Sequence, residues 1–334
     1  MGNRYIQAWW AATAIALAAT FATSAVTGIS AQAAGSKLAK SQAGYYRFML
    51  GDTEVISLSD GTVPLDTKYL VTDHRDRVDA LVAKSFEKSP LDASVNAYLI
   101  KFPDKLVLVD AGTAELYGPS LFKLPESLHN VGYTPEQITD IFITHIHTDH
   151  TGGLMDGTRR VFPNAVVHVE RKEVEYWMDP ASKQRAPDYQ KVYFDQAAAK
   201  FKPYLDSGQV KTFDGAVELL PGFRSIPAPG HTPGHTFYSL ERNGEKLVFW
   251  GDILHVAEVQ LPDPTVTITF DVDPRQAAEQ RKRAFADAAE KGYWVAPAHI
   301  SFPGFGHVRR VNADGEEYRW YPAPYVNDAP YASH

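Results

Sequence analysis

The stretch Thr144-His145-Ile146-His147-Thr148-Asp149-His150 constrains this chain more than any other part of it. Four metal-ligand side chains crowd into it, directly after the apolar run Asp140–Thr144 and just before Gly152-Gly153. In extended backbone, residues two apart point the same way, so His145 and His147 can converge on one ion. Asp149 and His150 follow where the chain turns and can address a second ion beside the first. Imidazole and carboxylate suit zinc or another first-row metal. The competing reading is a surface loop that happens to be rich in histidine. A buried strand feeding straight into the cluster argues against it.

Around the motif the pattern is that of a layered α/β protein. Glu54–Ser59 alternates apolar and polar residues and predicts a strand, with Ser59-Asp60-Gly61-Thr62 as a turn after it. Asn96–Phe102 and Lys105–Asp110, joined by Pro103-Asp104, predict a hairpin of buried strands. Val166–Val169, Phe223–Pro227, Phe237–Leu240 and Lys246–Trp250 predict further strands. Arg171–Trp177 reads as a short helix and Asp188–Leu205 as a longer amphipathic one. Asp273-Pro274 opens a helix that Gly292 closes. Strands arrive in groups with helices between them, which fits a sandwich better than a regular βαβ parallel sheet. One domain over 44–334 is expected.

The beginning of the chain differs in kind. Arg4 precedes an uncharged Ala-rich run from Ala8 to about Val26, and Ala31-Gln32-Ala33 has the small-x-small pattern of a signal peptidase site. We read residues 1–33 as a signal peptide and 34–43 as a flexible segment, with the mature chain periplasmic or secreted. The alternative is an uncleaved membrane anchor, and a run rich in Ala and Thr would span weakly. No stable membrane association is expected once the leader is gone. With no cysteine, disulfides, thiolate nucleophiles and thiolate metal ligands are all excluded. The net charge of −7 gives no reason to expect nucleic acid as a partner. A homodimer is a candidate assembly.

The other histidines and aspartates extend the motif. His145-x-His147-x-Asp149-His150 resembles the signature of the metallo-β-lactamase superfamily. Val109-Asp110-Ala111-Gly112, Gly230-His231-Thr232-Pro233-Gly234-His235, Gly251-Asp252 and His299 resemble the rest of its pattern, in order. The resemblance implies a four-layer αββα sandwich and two divalent ions, zinc first among candidates. It puts His145, His147 and His231 on one ion, Asp149, His150 and His299 on the other, and Asp252 between them. His235 is then a buried histidine holding the His231 loop, and Asp110 orients a ligand loop. His74, His129, His168, His307 and His334 receive no role. Ser59 and Ser301 lack partners for a serine triad.

Over Gly44 to Arg309 the chain is most similar to the family of methyl parathion hydrolase and its lactonase and aryl-esterase relatives. Stretches such as Leu58-Ser59-Asp60-Gly61-Thr62, Lys105-Leu106-Val107-Leu108-Val109-Asp110 and Ser301-Phe302-Pro303-Gly304 carry that similarity. It implies an aromatic pocket at Tyr117, Trp177, Phe194 and Phe270, with an alignment near Phe194 that can slip to Tyr193. His255, Ile268 and Phe270 depart toward the lactonase type, and bulk at Phe270 favours a flat cyclic ester over a tetrahedral phosphotriester. The expected reaction is lactone or aryl-ester hydrolysis by a hydroxide bridging the two ions, with Asp149 and Asp252 orienting it and a weak phosphotriesterase side activity. Organophosphate hydrolysis as the main activity, a β-lactamase and a glyoxalase II-type thioesterase are the rival hydrolases. An iron-dependent oxidoreductase on the same scaffold is the rival from another class.

Overall fold

The computed structural model describes residues 42–313 and 315–327. The expected signal peptide, and nearly all of the segment 34–43, lie outside the described residues. Two seven-stranded sheets form the body. The first runs Tyr45–Leu50, Thr53–Leu65, Leu91–Phe102, Lys105–Val109, Asp140–Phe142, Val166–Glu170, Val210–Phe213 in spatial order. It is antiparallel as far as Lys105–Val109 and parallel beyond. The second runs Glu218–Leu220, Phe223–Pro227, Thr236–Arg242, Glu245–Gly251, Trp294–Pro297, Gly306–Arg310, Tyr318–Pro322. Only its Glu245–Gly251 and Trp294–Pro297 pair is parallel.

The alternation along each strand sorts side chains into layers. Val55, Ile100 and Val107 face inward and meet Phe223, Leu240 and Phe249 of the second sheet. Ile56, Leu99 and Leu108 face outward, under a helical layer that brings Leu128, Phe194 and Phe201. On the far side, Val248, Trp250 and Val295 take Ala284, Phe285 and Ala288 of helix Pro274–Lys291. The result is an αββα sandwich, the fold class expected from the sequence. Asp110, the His145 cluster, His231, Asp252 and His299 all follow the C-terminal ends of strands, along one edge of the sandwich.

Two local expectations fail. The Ser59–Thr62 turn is instead the middle of the 13-residue strand Thr53–Leu65, with a bulge between Ser59 and Gly61. The buried Asp60 carboxylate accepts hydrogen bonds from Thr113 N, Thr113 Oγ1 and Leu124 N. Distant backbone thus satisfies the polar residue that looked like a turn former, and Gly61 takes the bend at φ +120°. The helix expected over Asp188–Leu205 is a 3-10 turn at Asp188–Gln190 followed by helices Lys191–Lys200 and Lys202–Asp206. Pro203, which lacks an N–H and crowds the carbonyl four residues before it, breaks the run.

Candidate metal centre

The sheets set the ligands and their neighbours set which nitrogen is free. His145 and His147 leave strand Asp140–Phe142, and His231 sits in the loop between Phe223–Pro227 and Thr236–Arg242. His145 Nε2 lies 3.1 Å from His147 Nδ1, which lies 2.9 Å from His231 Nε2. Asp252 Oδ2 is 3.6 Å from His145 Nε2 and 3.4 Å from His231 Nε2. The other Asp252 oxygen, Oδ1, is 3.0 Å from His150 Nε2 and 3.1 Å from His299 Nε2. Asp149 Oδ2 completes this second set, 3.3 Å from His299 Nε2. The seven side chains therefore form two groups of four that share the two oxygens of one carboxylate.

Three hydrogen bonds fix the tautomers. His231 donates Nδ1–H to Asp271 Oδ1 at 2.8 Å, His150 to Asp110 Oδ2 at 2.9 Å, and His299 to the Ser94 carbonyl at 2.9 Å. Each ring then directs its Nε2 toward the others, where a metal ion would take the place of a proton. His150 Nε2 and Asp252 Oδ1 are both buried and have no hydrogen-bond partner. The two atoms face each other at 3.0 Å, a gap that takes either a proton or a metal cation. Ligand atoms on a tetrahedral ion with bonds of about 2.0–2.1 Å stand roughly 3.3 Å apart, and the gaps here run from 2.9 to 3.8 Å around that value. The residues fit two divalent ions, and the nitrogen-and-oxygen donor set suits zinc.

The electrostatics make the same demand. Burial, joined by the neighbouring histidines, pushes His145 and His147 well below the ordinary imidazole range and keeps them neutral. Against burial, Asp252 and Asp149 push His299 up to about 10, and Asp252 with Asp271 pushes His231 up to about 9. The buried carboxylates call for positive charge beside them, which a pair of cations supplies.

A cavity of about 570 Å³ opens from the centre, with His147, Asp149, His231, Asp252 and His299 in its floor. Of the pocket residues expected from sequence, Tyr117, His255 and Phe270 line it. His255 reaches Asp252 Oδ2 at 3.2 Å and stacks on His299. Trp177 and Phe194 do not line it. Both are buried in the helical layer with ring centroids 4.7 Å apart, and Trp177 Nε1 is spent on Glu173 Oε2. Tyr193, one residue earlier on the same helix, takes the place read for Phe194. Tyr69 and Tyr189 also line the cavity and went unread, since each sits in a 3-10 turn without periodic signal. His235 holds loops as expected: Nδ1 donates to the Ala228 carbonyl and Nε2 accepts the Asp252 N–H. Asp110 likewise touches Thr144 and His150 and serves as an orienting group. Glu173, Asp271 and Arg281 also hold the site, and no local pattern marks them.

The family model for the metallo-beta-lactamase superfamily matches residues 91–299. The hydrolase AbOPH, solved as a member of the beta lactamase superfamily, is 33% identical with a TM-score of 0.81, over 86% of this chain and 100% of that one. AidC, a dizinc quorum-quenching lactonase solved in complex with the product N-hexanoyl-L-homoserine, is 26% identical with a TM-score of 0.77, over 85% of this chain and 99% of that one. An N-acyl homoserine lactonase of Bacillus cereus is 28% identical over 177 residues, 47% of this chain. Against that relative the chain spans only 62% of its length.

Proposed function

We propose, because the chain belongs to the metallo-β-lactamase superfamily, that it is a dinuclear-metal hydrolase opening lactones and cleaving aryl esters. The observation that carries this is Asp252, whose two oxygens each face one ligand group beneath an aromatic cavity. The resemblance to a dizinc lactonase and to N-acyl homoserine lactonases supports the lactone half of the reading. A finer kinship with methyl parathion hydrolase, and with it a weak phosphotriesterase side activity, is part of the proposal. So is export, on the strength of the leader-like N-terminus.

Two divalent ions held by these groups supply an activated water and polarise the scissile carbonyl. The protein's own part is orientation and proton handling. Water adds to the ester carbonyl, the carbon–oxygen bond breaks, and the departing oxygen takes up a proton. Asp149 is the most accessible of the seven ligands and borders the cavity, so it is placed to pass that proton on. Burial and the nearby Asp149 push the Tyr117 and Tyr193 hydroxyls up, so both stay protonated as hydrogen-bond donors to a bound ester. Phe270, tilted against Tyr69 with ring centroids 5.3 Å apart, and His255 narrow the wall to suit a flat ring.

The test is a panel of dihydrocoumarin-like lactones, aryl esters, methyl parathion and nitrocefin, with metal content measured on the same sample. The expected result is two ions per chain and lactone turnover well ahead of methyl parathion. The reverse ranking, or nitrocefin as the best substrate, would replace the proposed substrate class.

A further inference from the structure

We infer that Glu173 is the positioning residue for the three-histidine half of the centre, formed by His145, His147 and His231. The inference rests on the dinuclear reading above and goes beyond it, because it makes the two halves separable. Helix Arg171–Trp177 contributes no ligand, yet it sends one fully buried carboxylate between two ligand-bearing loops. Glu173 Oε2 accepts the backbone N–H of Ile146 at 2.8 Å, and Ile146 is the residue between His145 and His147. The same oxygen accepts Trp177 Nε1–H at 2.9 Å, and the Trp177 ring lies edge-on to His147, 5.0 Å between centroids. Glu173 Oε1 accepts the N–H of Gly234 at 2.7 Å, in the loop that presents His231.

These loops belong to different sheets, one leaving Asp140–Phe142 and the other joining Phe223–Pro227 to Thr236–Arg242. One carboxylate therefore fixes the gap that an ion in the three-histidine group would also span. Bonds to a charged acceptor are short and roughly twice as strong as neutral ones, so the clamp is stiff. It also explains Gly234. A Cβ there would stand 2.8 Å from Glu173 N and 3.0 Å from Glu173 Cγ, so any side chain pushes the loop off the carboxylate. The second group takes its support elsewhere: His150 from Asp110, and His299 from the Ser94 carbonyl.

The experiment loads wild type, Glu173→Gln, Gly234→Ala and Trp177→Phe with zinc alone. It reads stoichiometry, stepwise competition by a chelator, and the absorption of the cobalt-substituted proteins. Glutamine keeps one acceptor oxygen and turns an amide donor toward an N–H, so one loop is released. Wild type should hold two ions. Glu173→Gln and Gly234→Ala should weaken one ion by about 10–100-fold and leave the other unchanged. Trp177→Phe should keep both, since the Ile146 and Gly234 bonds remain. Retention of the second ion also reports that each variant is folded. A Glu173→Gln protein that binds both ions like wild type, or loses both together, overturns the inference. A wild type that takes up fewer than two ions overturns the dinuclear reading, and this inference with it.

Discussion

Arg281 is a guanidinium with no exposed surface, carried by helix Pro274–Lys291 into the wall behind the centre. Its Nε donates to the Ile253 carbonyl at 2.6 Å, next to Asp252, and Nη1 donates to the carbonyls of Pro264 and Val266. Its Nη2 stands 4.0 Å from Asp271 Oδ2, while Asp271 Oδ1 holds His231. One buried charge thus ties together the Asp252 loop, the Pro264–Val266 turn and the anion that orients a ligand. Burying an ion is costly, and removing one member of such a pair leaves the other charge and several carbonyls without partners. Replacing Arg281 by Met should therefore cost about 3–5 kcal/mol of stability in urea unfolding. A loss under about 1 kcal/mol, the range of surface substitutions, would mean that relaxed packing replaces the guanidinium.

At the scale of elements, legibility follows how local the determining chemistry is. Helix Pro274–Lys291 was readable because its cap is written next to it: Asp273 accepts from Gln276 N, and Gly292 closes it in the left-handed conformation. Phe223–Pro227 was readable between the Gly- and Pro-rich turns that flank it, and Arg171–Trp177 as a short helix from its own residues. Asp60 was misread because its partners, Thr113 and Leu124, lie more than fifty residues away and only the fold brings them near. Asp140 is a similar case in the first sheet. It bonds Lys105 on one neighbouring strand at 2.5 Å and His168 on the other at 2.8 Å, pinning three parallel strands at one point. Burial works against its charge, but His168, Lys105 and Thr139 outweigh it and hold the carboxyl well below the usual range. Since the folded value lies below the unfolded one of about 3.9, the contribution is complete at neutral pH and drains away as pH falls through about 4 toward the folded value. Asp140→Asn should cost about 1–2 kcal/mol at pH 7, discounted for the half-exposed Lys105. The gap to wild type, followed by urea midpoints, should close below pH 4. A constant gap would assign the loss to packing.

Across the whole molecule, ligands that are separated in sequence by up to 154 positions (His145 to His299) were legible because each follows a strand end with its own short signature. The cavity wall was not legible to the same degree. Whether Phe194 or Tyr193 faces the cavity depends on how helices dock, and a ring count along the sequence does not contain that. The same architecture would make a bound metal pair a structural element. His145, His147, Asp149 and His150 hang from the first sheet, while His231, Asp252 and His299 hang from the second. Ions held by these groups would bridge the two sheets. Binding to the folded chain alone stabilises it by an amount that grows with the logarithm of free metal. Above both dissociation constants, each tenfold rise in free zinc should add about 1.4 kcal/mol per ion, hence about 2.8 kcal/mol for the pair. Urea unfolding in zinc buffers measures this slope directly. A slope near 1.4 would mean that only one ion is linked to folding, and a flat line would mean that zinc does not bind the folded chain in preference to the unfolded one.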